Sequence, residues 1–527
     1  MIVLVGFMAA GKSTVGRLLA ARLGRTFIDT DAGIEARAGR PIAEIFSTDG
    51  EPRFREMERE VVLESLRGGD AVIALGGGAV TDPAIREALE ETQTIYLDVT
   101  AEEVMRRVGS VESRPLLVSM DPEALLAERR PLYESVADLA VKTNGRDPAR
   151  VVDEIVGSLG STPATGPRRV RVGLGSRSYT VVVGAGIAGD ADLLPDHGHA
   201  EKAFVVTHPD LVDMCTPLVG ALASRGLDVR TLTVPEGEDG KTLEATADLY
   251  RGLQDADAHR HDLIVTFGGG VVSDVGGFAG STYARGMQLV HVPTTLLGQV
   301  DAAIGGKTGI NLQQAKNLVG TIYQPSAVVC DVTFLASCPP EEISSGMAEV
   351  IKYGFIVDPD ILDLAVRRRS DIEARDPQVM TDVVARCVAI KASIVSSDER
   401  ENGERAFLNY GHTFAHGIEA AAGFTGIRHG EAVAIGMMAA ALTARELGRI
   451  DDDVVALHRS TLRSAGLPTG ARLDLQRLEQ AWKHDKKYRG GVRFVLLMGL
   501  GKPEADVQVP RAVLEKVVEL VGEEGAS

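Results

Sequence analysis

Residues 267–274 read "FGGGVVSD" and follow the apolar run "LIVT". A strand that runs into a glycine turn presents backbone N–H groups to a phosphate. Far earlier in the same chain, residues 6–14 read "GFMAAGKST", which also follows an apolar run, "IVLV". The reading of these two stretches decides the fold. Each lies between a strand pattern and a helical pattern, so each opens its own α/β unit with its own phosphate loop.

A chain of 527 residues with 44% hydrophobic residues supports roughly two to four domains with full cores. The net charge of −18 is spread over both halves. An acidic chain lacks the basic face of a nucleic-acid binder, and Lys or Arg clustered at motifs stands out against that background. The four cysteines, Cys215, Cys330, Cys338 and Cys387, form no CxxC pair. A disulfide framework and a thiolate zinc site are excluded, and a reducing cytoplasm fits. "MIVLVGF" has no basic segment before it and no cleavage site after it, so it reads as a buried first strand. No run reaches about 18 apolar residues, so no membrane span is expected.

Residues 1–160 alternate short apolar runs ("IVLVG", "AVIALGGG", "TIYLDV") with helical patterns ("KSTVGRLLAARLG", "PARVVDEIVGSL"). That alternation predicts a parallel sheet with helices on both faces. "STPATGPR", 161–168, is the linker candidate. "YTVVVG", "KAFVVTH", "DVRTLTV", "DLIVTFGGG" and "LVHVPT" then predict a second α/β block. From about residue 340 the pattern is helical, as in "EISSGMAEVIKYGFI", "GHTFAHGIEAAAG" and "GEAVAIGMMAAALTARELG".

In the first loop Gly6, Gly11, Lys12 and Ser13 match GxxxxGK[ST], with Thr14 next. Glycine amides wrap a phosphate, Lys12 reaches the β- and γ-phosphates, and Ser13 offers a hydroxyl to Mg²⁺. "FIDTDAGIE" places Asp29 and Asp31 at a strand end. Period-2 geometry puts both side chains on one face, one for Mg²⁺ and one for an acceptor hydroxyl. "FREME" adds Arg55, "LGGGAV" a second glycine turn, "SRPLL" Arg114, and "ERRPLY" Arg129 and Arg130. Such arginines serve as anion clamps.

This spaced set, over about residues 1–160, resembles shikimate kinase; a gluconate kinase shares the loop but not the "DTD", "FR" and "RRPLY" combination. The resemblance implies ATP with Mg²⁺. Asp31 and Arg55 then meet the hydroxyls of shikimate, Asp31 as the catalytic group beside Lys12. Arg129 meets the carboxylate, Gly77 and Gly78 present amides, and Arg114 sits on a catalytic lid. Arg107 and Pro148 flank adenine, and Ser13 and Asp29 serve the metal.

The second loop, Gly268, Gly269 and Gly270 with Asp274, allows close approach to a dinucleotide pyrophosphate. Around it stand Glu238 and Lys241 in "PEGEDGKT", Thr294 and Thr295 in "VPTTLL", and Asp301, Lys307, Lys316 and Asn317 in "VDAAIGGKTGIN" and "AKN". The helical block holds Glu349 and Lys352, His412 and His416 at i and i+4, and His429. Three histidines with a glutamate suggest a mononuclear zinc site, and spacing alone selects His412 and His416 as the ligand pair.

From about residue 169 to 527 these motifs resemble 3-dehydroquinate synthase: "STYARG", "VPTTLL", "VDAAIGGKTGIN", "KNLVG", "GMAEVIKYG", "GHTFAHGIEA", "HGEAVAIGM" and "HDKK" occur in order. The resemblance implies NAD⁺ at the glycine loop and Zn²⁺ or Co²⁺ on Glu349, His412 and His429, with His416 facing substrate. Arg285, Asp301, Lys307, Asn317, Lys352, Lys391, Arg405, Asn409 and Lys486 fall at substrate-site positions. The catalytic work falls on Asp301, Lys307, Lys352, Arg405 and His416. Two positions depart from the pattern: Ser273 stands where a glycine is common, and His208 where Asn or Asp meets the adenosine. The implied chemistry is oxidation of a carbinol of a heptulosonate phosphate, elimination of phosphate, reduction and ring closure, with no net redox change.

The expected architecture is an N-terminal P-loop kinase domain (1–160), a linker (161–168), a Rossmann-like block (169–335) and a mostly α-helical metal-binding block (336–527). A homodimer through the synthase part follows from the resemblance. The rival readings are a related sugar phosphate cyclase, a metal-dependent polyol dehydrogenase, or nucleotide sensors without turnover. The phosphate- and carboxylate-holding residues of "IGGKTGIN" and "AKN" speak against a simple dehydrogenase, and the intact set of Lys12, Asp31, Lys307 and Glu349 against a sensor.

Overall fold

The computed structural model describes the chain except residues 67–70, 90–91, 109–121, 159–166, 313–314, 402, 423–425, 484–490 and 527. Arg114, Lys486 and most of the linker therefore lie outside the described residues, as does the side chain of Lys316. The chain divides into two compact units, Met1–Thr165 and Gly166–Ser527.

The first unit is built on β1 (Ile2–Val5), β2 (Thr26–Asp29), β3 (Ala71–Ala74), β4 (Gln93–Asp98) and β5 (Leu139–Lys142). They form a parallel sheet in the order β2-β3-β1-β4-β5. The central strand β1 is buried at every residue. That is the outcome expected of an uninterrupted "IVLV" run covered on both faces by crossover helices. The helix Lys12–Leu23 starts at the carboxyl end of β1, where Gly11 takes a left-handed conformation at φ +97°. The phosphate loop thus lies at the crevice outside the strand ends.

The second unit holds a seven-stranded sheet made of β6 (Arg168–Val172), β7 (Tyr179–Gly184), β8 (Lys202–Thr207), β9 (Asp228–Thr233), β10 (Leu263–Gly268), β11 (Gln288–Pro293) and β14 (Ala327–Asp331). Its order is β6-β7-β14-β11-β10-β8-β9, with only β6 antiparallel to its neighbour. A hairpin of β12 (Lys307–Leu312) and β13 (Ala315–Ile322) carries the "GKTGIN" and "AKN" residues. Helices dominate from Pro340 onward. The short hairpin of β15 (Phe494–Leu497) and β16 (Pro503–Val507) interrupts them. A four-residue apolar run such as "FVLL" carries too little periodicity to be separated from a helix by sequence.

The helix His429–Glu446 lies in the middle of the helical block and buries Gly430 and every residue from Ala432 to Ala444. Its small residues allow neighbouring backbone to touch it. A Cβ at Gly436 would lie 2.2 Å from the carbonyl oxygen of Gly411, and one at Gly430 would lie 2.3 Å from the Cα of Ser345. This close approach brings His412, at the start of the helix His412–Ala421, and His429 together with the helix Pro340–Ile356. Gly436→Ala therefore overpacks backbone that has no room to move. Calorimetry of the full chain should show the unfolding step of the second unit destabilised by roughly 1–3 kcal/mol, with that of the first unit unchanged. An unshifted transition would mean that the helix pair has slack.

Candidate functional sites

The first site is a cleft of about 570 Å³ lined by the phosphate loop, Asp29, Asp31, Gly77, Arg107 and Pro148. Lys12 Nζ donates to the carbonyl oxygens of Gly6 and Phe7 at 2.8 and 2.9 Å. Ser13 Oγ donates to Asp29 Oδ2 at 2.6 Å, so a hydroxyl and a carboxylate stand together at the helix start. That pair suits Mg²⁺, which takes oxygen ligands. Arg107 donates to the carbonyls of Ala9 (3.0 Å) and Thr143 (2.5 Å) and to Glu103 (2.8 Å). It thereby ties the phosphate loop to the loop that leads into the helix starting at Pro148.

The period-2 argument for Asp29 and Asp31 does not hold. β2 ends at Asp29, and Asp31 lies in the first turn of the helix Thr30–Ala38. The two residues do not share a strand face. Asp29 caps that helix instead, accepting from the Asp31 amide at 3.1 Å. Both carboxylates still line the cleft, because a capped helix begins where the strand stops.

Around Asp31 the second glycine turn has an unforeseen function. A Cβ at Gly76 would sit 2.6 Å from Asp31 Oδ1 and 2.7 Å from Glu58 Oε1, and a Cβ at Gly78 would sit 2.2 Å from Arg55 Nη1. The missing side chains make room for two carboxylates and a guanidinium. Arg55 donates to Glu58 at 2.6 Å. Burial pushes the Glu58 carboxyl up, with Arg55 opposing it. Sequence reading missed Glu58; the signal was its i+3 spacing from Arg55 in "FREME". Arg129 is buried and donates to the Gly77 carbonyl at 3.3 Å, and Tyr133 Oη donates to the same oxygen at 2.5 Å. Arg130 faces away from this cluster and pairs with Asp98 at 3.2 Å.

In the second unit β10 ends at Gly268, and Gly269 caps the helix Gly270–Thr282. A Cβ at Gly269 would meet Thr295 Cγ2 at 3.1 Å, and the Thr294 amide donates to the Gly268 carbonyl at 3.0 Å. The turn is a tight backbone cradle at a helix N-terminus, the form a pyrophosphate requires. Asp274 pairs with buried Lys241, and Glu238 accepts from Asn311 at 2.5 Å. The Asn317 amide donates to Asn311 Oδ1 at 3.0 Å within the hairpin, and the Asn311 amide, donating to the Lys241 carbonyl at 2.8 Å, joins the hairpin to this edge. Arg285 takes a left-handed backbone at φ +64°. Ser273 is buried, and its hydroxyl has no hydrogen-bond partner. His208 Nδ1 lies 3.2 Å from the Val234 carbonyl.

Lys391 Nζ donates to both the carbonyl and Oδ1 of Asp301 at 2.6 Å. Burial lowers the Lys391 ammonium to about 8, with Asp301 opposing. Burial favours a neutral Asp301, but Lys391 and Lys352 outweigh it and hold the carboxyl below its usual range. Lys307 Nζ and Asn409 Nδ2 converge on the two oxygens of Glu401, at 2.5 and 2.7 Å. Arg405 is almost wholly buried and donates to the carbonyls of Gly305 (2.9 Å) and Glu399. It acts as a strut beneath the site.

Glu349 is completely buried and pairs with Lys352, one turn on. Its Oε1 makes no hydrogen bond, yet lies 3.4 Å from His412 Nε2 and 3.7 Å from His429 Nε2. These three residues offer ligand atoms all within 4.8 Å of one another, and they are the one such group among the described residues. The i,i+4 guess of His412 with His416 is thus not the grouping the fold makes: His416 is exposed, and its ring centroid lies 5.7 Å from that of His412. Burial lowers the His412 imidazole to about 4. Burial acts the same way on His429, but Glu349 and Glu419 outweigh it and push that ring up to about 10. Two imidazoles and a carboxylate with an orphaned oxygen fit a divalent cation with an open position.

Three family profiles match the chain: shikimate kinase over residues 8–160, 3-dehydroquinate synthase N-terminal over 231–345, and 3-dehydroquinate synthase C-terminal over 346–488. The 3-dehydroquinate synthase of Thermobifida fusca is 46% identical over 338 residues, which cover 64% of this chain and 91% of the relative. A solved 2-deoxy-scyllo-inosose synthase, complexed with carbaglucose-6-phosphate, NAD⁺ and Co²⁺, is 26% identical with a TM-score of 0.61, covering 67% of this chain and all of that one. The 2-epi-5-epi-valiolone synthase of Streptomyces hygroscopicus subsp. jinggangensis 5008, with NAD⁺ and Zn²⁺ bound, is 26% identical with a TM-score of 0.59, covering 66% of this chain and 97% of that one. The chain belongs to the 3-dehydroquinate synthase family and carries a shikimate kinase domain ahead of the synthase. It is a bifunctional enzyme of the shikimate pathway. Among the described residues no helix is long and apolar enough to cross a membrane.

A divalent cation held by Glu349, His412 and His429 should be lost in His429→Ala and kept in His416→Ala, read by metal analysis after dialysis. The reverse pattern would restore the i,i+4 pair.

Proposed function

We propose that the first unit transfers the γ-phosphoryl group of ATP to the 3-hydroxyl of shikimate. The second unit converts 3-deoxy-D-arabino-heptulosonate 7-phosphate to 3-dehydroquinate and phosphate. The observation that carries this reading is that both family matches coincide with a cluster of charged groups, buried or half-buried, that the fold brings together. One set is Asp31, Arg55, Glu58 and Arg129 beside the phosphate loop; the other is Glu349, His412 and His429 beside Lys352, Asp301 and Lys391. The domain limits 1–160, 161–168, 169–335 and 336–527 belong to this reading, as do a cytoplasmic location and a homodimer through the synthase part.

In the kinase, Lys12 and the loop amides hold the β- and γ-phosphates, and Arg107 keeps the loop in place. Mg²⁺ on Ser13 and Asp29 supplies charge neutralisation for the triphosphate. Arg129 receives the carboxylate of shikimate in bidentate form, Arg55 receives a ring hydroxyl, and Gly77 and Gly78 turn backbone toward the ring. Asp31 orients the reacting hydroxyl and accepts its proton. Arg114 is assigned to the lid from the family resemblance alone. Asp31→Asn preserves shape and removes the proton acceptor. A fall in kcat of roughly 10²-fold or more, with KM for ATP little changed, is expected in a coupled kinase assay. Unchanged kcat would remove Asp31 from this role.

In the synthase, the Gly268–Gly270 turn, Glu238, Lys241, Asp274, Thr294 and Thr295 frame the dinucleotide, with Lys316 assigned by resemblance. NAD⁺ supplies a reversible hydride acceptor. Zn²⁺ or Co²⁺ on Glu349, His412 and His429 supplies a Lewis acid for a substrate oxygen. Lys307, Asn317, Asn409 and Arg285 gather round phosphate and carboxylate, with Lys486 assigned from the family resemblance alone; Arg405 supports them, and His416 lies at the exposed edge. Lys352 is buried beside Glu349, and the half-buried Asp301 is held by Lys391.

The Lys391 ammonium is the form that attracts an anionic substrate. It is present below about 8 and lost as pH rises through that value. The kcat/KM of the synthase should therefore fall on the alkaline side near pH 8. Lys391→Arg keeps its charge and should move that limb upward by a unit or more in a pH–rate profile. An alkaline limb of the same position in the variant would assign it to another group.

A further inference from the structure

We propose that Glu419 is a positioning residue of the metal centre: it holds the His429 ring with Nε2 facing Glu349 and sets the affinity of the site for its cation. The inference rests on the reading of Glu349, His412 and His429 as ligands.

The two histidines are supported in parallel ways. His412 Nδ1 lies 3.2 Å from the Tyr410 carbonyl, and His429 Nδ1 lies 3.4 Å from Glu419 Oε1. A carbonyl and a carboxylate can only accept, so in both rings Nδ1–H donates, and Nε2, on the side of Glu349 Oε1, is the nitrogen left to ligate a cation seated between them. The tautomers of both ligands are thus fixed from behind. The acceptors differ in charge: one is neutral, the other an anion.

Position explains that difference. His412 is well packed, with a side chain only 13% exposed, whereas that of His429 is 33% exposed. The less enclosed ring needs a stronger tether. His429 also opens the helix His429–Glu446, whose N-terminus carries partial positive charge and disfavours a cation beside it. An anion behind His429 offsets that field and makes the ring a better electron donor. Glu419 is suited to the task. It lies seven residues beyond His412 on the helix His412–Ala421, two turns along and on the same face. Its side chain is 8% exposed, and glutamate is rarely buried that far without a charged partner.

The test is zinc affinity of the full chain, stripped of metal and titrated against a chromogenic chelator. Glu419→Gln keeps the shape and removes the charge. Its zinc affinity should fall about 10–100-fold, and the visible absorption of the Co²⁺-loaded protein should shift. Thermal unfolding of the second unit should stay close to that of the parent, as should kinase activity. If Glu419→Gln destabilises the fold, Glu419→Asp, which retains the charge, should bind zinc more tightly than the amide. Equal zinc affinity and identical Co²⁺ spectra in parent and Glu419→Gln overturn the positioning role and leave the ligand assignment standing. A parent chain that binds no zinc overturns the ligand assignment itself.

Discussion

A carboxylate with no exposed surface is the constraint on which the synthase part depends. Removing Glu349 from water costs several kcal/mol unless positive charge surrounds it. Lys352, one turn on, supplies part of that charge; His412 and His429 aim at the oxygen Lys352 does not take. Burial alone would keep the carboxyl neutral, yet Lys352 and His412 hold it far below its usual range. The charge is therefore permanent, and the fold must deliver partners to it from three helices. Glycines at the contacts of the helix His429–Glu446 make that delivery possible. A Cβ at Gly436 or Gly430 would lie 2.2 Å from the Gly411 carbonyl oxygen or 2.3 Å from the Ser345 Cα, so any side chain there would force the neighbouring backbone apart.

The kinase part solves a related problem by subtraction. Asp31, Glu58 and Arg55 converge only because Gly76 and Gly78 have no side chains to keep them apart. Like charges on Asp31 and Glu58 repel, and Arg55 offsets that repulsion. A substrate bearing hydroxyls and one carboxylate suits such a set, since it meets acceptors and a guanidinium at once. In both parts glycine is used to bring charged groups close together, and the charged groups then define what can bind.

Much of this was legible in the sequence, for a reason tied to locality. The strand "IVLV", the loop "GFMAAGKST" and the turn after "LIVTFGGG" are contiguous, and hydrophobic period and glycine spacing report them directly. What failed was geometry that depends on where an element stops. Asp29 and Asp31 were read as strand neighbours, but the strand ends at Asp29, and a cap joins them instead. His412 and His416 satisfy a helical spacing, yet the site is completed across two helices by His429, which no local period reports. Glu58 escaped notice because a glutamate on a helix is ordinarily solvated; only the glycine turn opposite makes it a buried group. The hairpin β15–β16 was too short to carry a period of its own.

The two sites meet the same electrostatic problem separately. The chain is acidic, and its substrates are anions. Each site must therefore assemble local positive charge against the overall field: Lys12, Arg55 and Arg129 in one part, Lys307, Lys352 and Lys391 in the other. Field effects of this kind fall off within about a Debye length, roughly 8–10 Å at physiological ionic strength, so each cluster must be built beside its own ligand. In the proposed reactions dehydroquinate leaves the synthase as a ketone, whereas shikimate enters the kinase as an unsaturated alcohol. A dehydration and a reduction must come between them. Neither site performs those steps, so the product of one cannot be the substrate of the other. Fusion thus fixes the ratio of two activities rather than handing over an intermediate, and each site keeps a complete set of charged groups and its own glycine-built loop.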